Sequence, residues 1–270
     1  EGNSVLICAL QNRFVRSANY LLEFKNINVN LKNNNGITAL ICATINGFIV
    51  IVNNLIRHHD VDINGYDVDH RTALIWSAIS GHLEIAKVLL ETHSIYVNKI
   101  DAYGMSALTE SVVKRRENIT QLLISNPKVN INIKNNKGQT SLMLAVIESS
   151  ISTILILIEH DAILINDIDN IGRTALIHAV IQQNIVVTEI LLSNNERVDI
   201  NVKDDNNMTA LMHATYLGNK DIVSLLLRFK NIDVNIQDKS GSTALIIAVS
   251  NSYDEISKLL LNDSNIDLNL

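Results

Sequence analysis

Residues 167–201 read DIDNIGRTALIHAVIQQNIVVTEILLSNNERVDIN, and this stretch decides the fold. A polar turn ends at Gly172, and the hydroxyl of Thr174 can cap a short helix by accepting an unpaired backbone N–H. The small residues that follow, up to Ala179, let this helix pack closely against a neighbour. A second helix turns apolar residues such as Leu192 inward, and the alternating VDIN leads into the next turn. The stretch therefore predicts a pair of short helices separated by tight turns.

The same pattern recurs along the whole chain at an almost constant interval. The step is 34 residues and once 35, with the extra residue between Leu192 and Val198. One asparagine column holds Asn30, Asn64, Asn98, Asn132, Asn166, Asn201, Asn235 and Asn269. The Thr/Ser column holds Ser4, Thr38, Thr72, Ser106, Thr140, Thr174, Thr209 and Thr243. A period in this range predicts a solenoid. Repeated positions are then structural by default, and function is expected where surface columns vary.

The turn before each capping residue needs a left-handed backbone conformation. Glycine fills it at Gly36, Gly104, Gly138, Gly172 and Gly241. Glycine tolerates positive φ best and asparagine next, so Asn207 fits the equivalent turn of its repeat. His70 fits less well, which predicts a strained or differently shaped turn there.

Composition and charge restrict the class of protein. Of the 270 residues, 47% are hydrophobic and 4% aromatic, so Leu, Ile, Val and Ala must form the core. The net charge is −6, and the basic stripe typical of nucleic-acid binders is absent from the sequence. No apolar run reaches about 18 residues, the length that indicates a membrane helix. We therefore expect neither a nucleic-acid partner nor a membrane span.

The two cysteines, Cys8 and Cys42, lie one period apart. Stacked helices are about 8–10 Å apart, whereas a disulfide needs Cα atoms within roughly 7 Å. Both thiols are expected to be reduced and partly buried, which favours a reducing, cytoplasmic location. A nuclear or host-delivered protein stays open, because the sequence starts at Glu1 without Met. We expect it to be a fragment of a longer protein.

The segments DKSGSTALIIAV, DNIGRTALIHAV and GHLEIAKVLL resemble the ankyrin repeat. The resemblance implies an all-α solenoid of antiparallel helix pairs with short β-hairpin fingers. It covers residues 1–270 as a single array. The eight expected repeats are 1–32, 33–66, 67–100, 101–134, 135–168, 169–203, 204–237 and 238–270.

Two departures from the family's TPLH motif stand out. The proline is replaced by Ala or Ser, as at Ala73 and Ser141, and the histidine by other residues, as at Ile75, Thr109 and Met212. The side-chain bonds typical of that histidine are therefore not expected, and single repeats are expected to be less rigid.

The sequence offers little catalytic or metal-binding chemistry. Residues 60–65, DVDING, resemble the start of a calcium loop, but position twelve is Arg71 rather than Glu. His178 and His213 share a column and would lie about 10 Å apart, too far for one zinc ion. No phosphate loop, dinucleotide fingerprint or nucleophile motif is present. We expect no enzymatic activity, no cofactor and no metal.

Two columns of the first helix are the best candidates for a binding surface. The column seven residues after the Thr/Ser holds Ile45, Ile79, Val113, Ile147, Ile181 and Tyr216, which we call the ladder. The column four residues after it, which we call the variable column, holds Cys8, Cys42, Trp76, Glu110, Leu144, His178, His213 and Ile247. Residues three apart share one helix face. By the resemblance, both columns face the concave groove where ankyrin arrays hold partners. The competing interpretation is that they pack between repeats or reflect the abundance of Ile.

The predicted function is a non-catalytic scaffold that binds a helix or an extended segment of another protein in its groove. Expected partner-binding residues are Ile45, Trp76, Ile79, Glu110, Val113, Ile147, His178, Ile181, His213 and Tyr216, with Asp69, Tyr103, Lys137 and Lys239 at the finger tips. Two alternatives remain. The array is the regulatory or targeting arm of a larger enzyme or channel, or it senses nucleotides, with Trp76 and Tyr103 stacking on a base.

Overall fold

The computed structural model describes residues 2–193 and 196–270. Within these ranges the chain forms sixteen α-helices of seven to nine residues. They are α1 Val5–Gln11, α2 Val15–Leu22, α3 Ala39–Ile45, α4 Ile49–Ile56, α5 Ala73–Ser80, α6 Leu83–Glu91, α7 Ala107–Val113, α8 Glu117–Ile124, α9 Ser141–Ile147, α10 Ile151–Glu159, α11 Ala175–Ile181, α12 Ile185–Leu192, α13 Ala210–Tyr216, α14 Lys220–Leu226, α15 Ala244–Ser250 and α16 Asp254–Leu261. The predicted all-α class is confirmed.

The helices group into two compact units, Glu1–Asn136 and Lys137–Leu270. In the first, α1, α3, α5 and α7 pack in sequence, and α2, α4, α6 and α8 form a second row. In the second unit, α9, α11, α13 and α15 form one row and α10, α12, α14 and α16 the other. Each unit is therefore a stack of helix pairs. One array over residues 1–270 with the expected repeat boundaries stays a prediction.

Leucines of both helices in a pair form the core of each unit. Leu74 in α5 and Leu89 in α6 are buried in the first unit, and Leu176 in α11 and Leu191 in α12 occupy the equivalent positions of the second. Each buried leucine contributes about 1.5–3 kcal/mol relative to an exposed one. A single pair would leave such a face exposed, so stability depends on stacking.

Each first helix begins at the predicted Thr or Ser cap. The Thr174 hydroxyl accepts a hydrogen bond from the backbone N–H of Ile177 at 3.2 Å. In α7, where Thr109 replaces the family's histidine, its hydroxyl also accepts the N–H of Ser106 at 2.7 Å. The substituted motif thus retains a cap of its own.

The fingers are tight turns rather than extended strands. Among the described residues, strand-like pairing is limited to isolated antiparallel bridges between Tyr66 and Thr72 and between Ile100 and Ser106. Adjacent fingers are joined through the backbone, as where Ala102 N–H donates to the carbonyl of Asp69 at 2.8 Å. The short hairpin strands implied by the resemblance are therefore reduced to bridges.

The finger turns adopt the predicted left-handed conformation. Gly172 has φ 76°, and a Cβ at this position would lie 2.7 Å from the backbone nitrogen of Asp205. Asn207 has φ 59° and His70 has φ 62°. His70 therefore holds an ordinary finger turn in a conformation that is costly for a residue with a Cβ.

The periodic asparagines connect each loop to the next. Asn64 Nδ2 donates to the carbonyl of Ser94 at 2.8 Å, and its Oδ1 accepts the N–H of Tyr96 at 2.8 Å. The same pair of bonds is formed by Asn30, Asn98, Asn166, Asn201 and Asn235. The amide supplies one donor and one acceptor at the spacing that a neighbouring loop presents. The asparagine column is therefore structural.

The long repeat keeps the asparagine connection despite its extra residue. Asn166 keeps both bonds, to the Arg197 carbonyl at 2.7 Å and the Asp199 N–H at 2.9 Å. These partners lie 31 and 33 residues along the chain, instead of 30 and 32 for Asn64. The predicted insertion between Leu192 and Val198 includes residues 194 and 195, which lie outside the described residues.

The two thiols differ from each other and from the expected partial burial. Cys8 is exposed and Cys42 is buried, and both are free. Burial raises the pKa of the Cys42 thiol to about 11, against a smaller lowering by its hydrogen bond with Asn46. Cys42 is therefore a poor nucleophile at neutral pH. No helix among the described residues is long and apolar enough to span a membrane.

Candidate functional site

The ladder lies at the C-terminal end of the first helix in six of the helix pairs, from α3 to α13. Ile45 and Val113 are the last residues of α3 and α7, and Ile147 and Ile181 the last of α9 and α11. These four and Ile79 are half-buried. Tyr216, at the end of α13, is 61% exposed. The ladder side chains are therefore partly or largely exposed and keep apolar surface open.

Three members of the variable column bond inward to finger carboxylates. Trp76 Nε1 donates to Asp67 Oδ2 at 2.8 Å. His178 Nε2 lies 2.9 Å from Asp169 Oδ2, and His213 Nε2 lies 2.8 Å from Asp204 Oδ2.

The other oxygen of each aspartate binds the finger backbone. In one finger, Asp67 Oδ1 accepts the N–H groups of Asp69 and Arg71 at 3.0 and 2.9 Å. Each Asp and its partner therefore tie a finger to the helix that follows it. This pattern could have been recognised in the sequence, because Asp and an N–H donor recur nine residues apart.

Glu110 breaks this pattern in the first unit. It occupies the same column but offers acceptors, and the residue is only 7% exposed. Its neighbour Asp101 instead accepts from Arg71 Nε at 3.4 Å. Burial is the main cause that raises the pKa of Glu110, and the nearby Asp101 carboxylate adds to it, whereas Lys114 and Arg71 oppose it.

Burial also governs the protonation of His213. The dominant effect of desolvation lowers the pKa of His213, although Asp204 opposes this, and the positive charge of Arg173 lowers it further. His213 is therefore neutral at physiological pH, with Nε2–H donating to the Asp204 carboxylate. It positions the finger and does not act as a cation.

A recess opens beside the ladder in the second unit. Its volume is about 300 Å³ and its lining is mostly apolar. It is lined by Arg173, Ile181, Asn206, Met208, His213, Tyr216 and Leu217. Three residues expected from the sequence, Ile181, His213 and Tyr216, are therefore brought together at one concavity.

The finger-tip side chains are less uniform. Asp69 is half-buried and pairs with Arg71 at 3.1 Å. Tyr103 is 57% exposed, with the Arg71 guanidinium 5.6 Å from its ring centroid. Lys137 and Lys239 are exposed. The carbonyl of Tyr103 accepts the N–H of Asn136 in the next finger, so the tip at Tyr103 combines a structural backbone with an exposed side chain.

One histidine cluster lies outside these columns. His58, His59 and Asp60, in the loop after α4, hold possible ligand atoms within 4.8 Å of one another. The two rings are stacked at 4.7 Å, and His59 Nε2 lies 2.9 Å from Asp60 Oδ2. His59 and Asp60 are exposed, and the contact between them accounts for the arrangement without an ion.

Stacked antiparallel helix pairs, capped by Thr or Ser and joined through fingers, define a helical repeat protein. The sequence model for ankyrin repeats matches residues 1–67, 51–135, 119–204 and 187–270. These matches cover the chain from end to end, so it belongs to the ankyrin repeat family.

Known structures agree with this assignment. The ankyrin repeat domain of Bcl-3, described as a unique member of the IκB protein family, is 22% identical with a TM-score of 0.75. That likeness covers 83% of this chain and 100% of the other. The ankyrin repeat protein EF0377 is 29% identical with a TM-score of 0.64, over 70% of this chain and 96% of the other. Comparison with curated protein sequences gives no match.

Family membership narrows the range of functions. Ankyrin repeat domains generally mediate protein–protein interactions, and the fold is typically a non-catalytic module. The identity of a partner and the face that binds it go beyond what membership provides.

Proposed function

We propose that this chain is a non-catalytic scaffold that binds another protein on its ladder face. The observation that carries the proposal is the recess of the second unit, where Ile181 and Tyr216 leave apolar surface open beside the half-buried Met208. Concave, mostly apolar sites with a few polar groups are the usual form of a binding site. The proposed partner presents a helix or an extended segment, either of which can place side chains along a row of ladder residues.

Energetics favour a few anchors over a uniform contact. A half-buried ladder residue can add about 1 kcal/mol to the binding free energy when a partner covers it fully. Complete burial of such a side chain is worth about 1.5–3 kcal/mol. Association costs an estimated 4–15 kcal/mol, so contacts outside the ladder must also contribute to binding. Tyr216 is the best anchor because it is exposed, and tyrosine is enriched in binding hot spots.

The proposed setting is a reducing compartment. Both cysteines are free, and the pKa of Cys42 is raised by burial, which fits a protein that relies on packing rather than disulfides.

Capture of partner proteins by the immobilised full chain tests the proposal. Ile79→Asp together with Ile147→Asp places a charge on the ladder of each unit, and we expect loss of the proteins that wild type captures. Tyr216→Ala is a milder variant with no folding cost expected, because the side chain is exposed. The matched control is Val50→Asp with Val186→Asp, since these residues are exposed on α4 and α12, which are second helices of their pairs.

Circular dichroism and thermal melting establish that each variant is folded. Capture that survives in both the folded ladder variant and Tyr216→Ala contradicts the proposed face. Equal loss in the second-helix control contradicts it too, because the effect would then arise from charge alone.

A further inference from the structure

Two arginines occupy the same position in different repeats, directly before the capping threonine. Arg71 precedes Thr72 in the first unit, and Arg173 precedes Thr174 in the second. Arg71 is paired on both sides. Its Nη1 lies 3.1 Å from Asp69 Oδ2, and its Nε lies 3.4 Å from Asp101 Oδ2.

Arg173 has lost both of these acceptors. The residue two positions before it is Ile171, where Arg71 has Asp69. The counterpart of Asp101 is Asp204, whose Oδ2 is bonded to His213 Nε2 at 2.8 Å. Arg173 Nε is accordingly buried without a hydrogen-bond partner among the described residues.

An unpaired buried donor is costly, and native structures rarely retain one without a reason. Arg173 lines the recess of about 300 Å³, together with the apolar side chains of Ile181, Met208 and Tyr216. The recess thus places the Arg173 side chain, whose buried Nε–H lacks a partner among the described residues, beside a mostly apolar wall.

We propose that this recess binds a carboxylate of the partner chain at Arg173 while an adjoining apolar side chain packs against Met208 and Tyr216. The inference rests on the proposed function and specifies the chemistry of the partner. A guanidinium pairs with a carboxylate through two parallel N–H···O bonds. A carboxylate bonded to Nε and one Nη would supply the acceptor that the buried Nε–H lacks, and because Nε is buried the Arg173 side chain must move to admit it.

The charge of the recess favours a monoanion. Among the described residues that line the recess, Arg173 carries the positive charge, because burial lowers the pKa of His213 and favours its neutral form. The buried Asp204 carboxylate lies directly behind His213. With this carboxylate nearby, a singly charged carboxylate is repelled less than a phosphate dianion.

Paired small probes give a direct test on the full chain. N-acetyl-leucine carries a terminal carboxylate beside an apolar side chain, and N-acetyl-leucinamide has the same shape without the charge. Binding is followed by NMR at the Arg173 Nε–Hε and Tyr216 ring signals. We expect the acid to bind about tenfold or more tightly than the amide, as for a hydrogen bond to a charged group. Acetyl-Leu-Glu-amide reports whether a side-chain carboxylate binds in place of a chain terminus.

Three variants isolate the arginine. Arg173→Met should abolish the preference for the acid without lowering the melting temperature, because its Nε makes no bond in the free protein. Ile171→Asp should weaken binding of the acid at least tenfold, because it gives Arg173 an internal carboxylate partner like the one that Asp69 provides for Arg71. Arg71→Met, the matched control, should bind the acid like wild type.

Three results would overturn the inference: equal binding of acid and amide, no binding of either probe, or unchanged preference in Arg173→Met. Its failure is separable from failure of the proposed function. If ladder variants lose protein capture but Arg173→Met retains it, the ladder face stands and the carboxylate site falls. If the probes behave as expected while the ladder variants still capture partner proteins, the carboxylate site stands and the proposed ladder face falls.

Discussion

Replacing Asn64 by alanine should weaken the connection between two consecutive loops of the first unit. The change removes two hydrogen bonds, to the carbonyl of Ser94 and from the N–H of Tyr96, both 2.8 Å. Each is worth about 0.5–1.5 kcal/mol net. The freed groups lie at exposed residues and can bond water, so the penalty for burying them unpaired does not apply. We expect a loss of about 1–2 kcal/mol in the free energy of unfolding.

Asn64→Asp sharpens the test because it changes one side of the amide. The carboxylate still accepts the Tyr96 N–H, but it faces the Ser94 carbonyl where an N–H donor stood. Two acceptors in contact repel, so Asp should destabilise at least as much as Ala. Asn269→Ala is the matched control, because the Asn269 amide donates to Asp267 of its own loop at 3.2 Å.

Two measurements address different scales. The shift in urea midpoint, multiplied by the m-value, gives the change in unfolding free energy. Hydrogen exchange at the Tyr96 amide reports the lost bond locally, and its protection should fall in Asn64→Ala. If Asn64→Ala stays within about 0.3 kcal/mol of wild type, or if Asn269→Ala costs as much, the asparagine column does not hold consecutive repeats together.

Two further predictions concern a buried charge and a finger turn. Burial raises the pKa of Glu110, so the folded state holds its proton more tightly than the unfolded state does. Its stabilising contribution is complete below the ordinary pKa of 4.5 and is lost as pH rises through the folded-state pKa. Glu110→Gln should therefore be more stable than wild type at pH 7 and lose this advantage as the pH falls toward 4.5. Urea unfolding at pH values in this range measures the two stabilities. If the stability difference between variant and wild type does not change with pH, this explanation is wrong. Gly172→Ala should cost about 2 kcal/mol or more, from strain at φ 76° plus a 2.7 Å contact with Asp205 N, whereas Gly241→Ala, at φ 81° with nothing within 4 Å, should cost about 1 kcal/mol from strain alone. Equal losses in the two alanine variants would show that the backbone contact does not matter.

Much of the architecture could be predicted because it repeats. The Thr174 cap, the left-handed turns at Asn207 and His70, and the apolar ladder at the ends of the first helices follow from local rules that apply to each period. The role of the asparagine column could not be predicted. Its partners are backbone groups of the next loop, such as the Ser94 carbonyl, and backbone groups leave no mark on the sequence pattern.

The variable column was harder to interpret for a related reason. Its chemical variety, with Trp76, Glu110, His178 and His213, indicated a recognition surface, and the structure shows three of these bonded to finger aspartates. Variety arises because Trp and His both supply an N–H to the same acceptor. Which of these side chains contact a partner stays a prediction. The unpaired Nε of Arg173 could not be predicted from the sequence, because it depends on which side chain binds Asp204. In the structure His213 forms that bond.

The most informative positions in a repeat protein are those where one repeat lacks a bond that the others form. In the first unit, Glu110 brings an acceptor to a place where three other repeats have an N–H donor, and Arg71 compensates by binding Asp101. In the second unit, His213 satisfies Asp204, and Arg173 receives no compensation. Both repeats keep the shared architecture, so stability alone does not explain why the chain carries these residues. The proposed carboxylate would give the unpaired Nε–H of Arg173 an acceptor that the repeat itself does not supply, which is why Arg173 is a sharper test of function than any ladder residue.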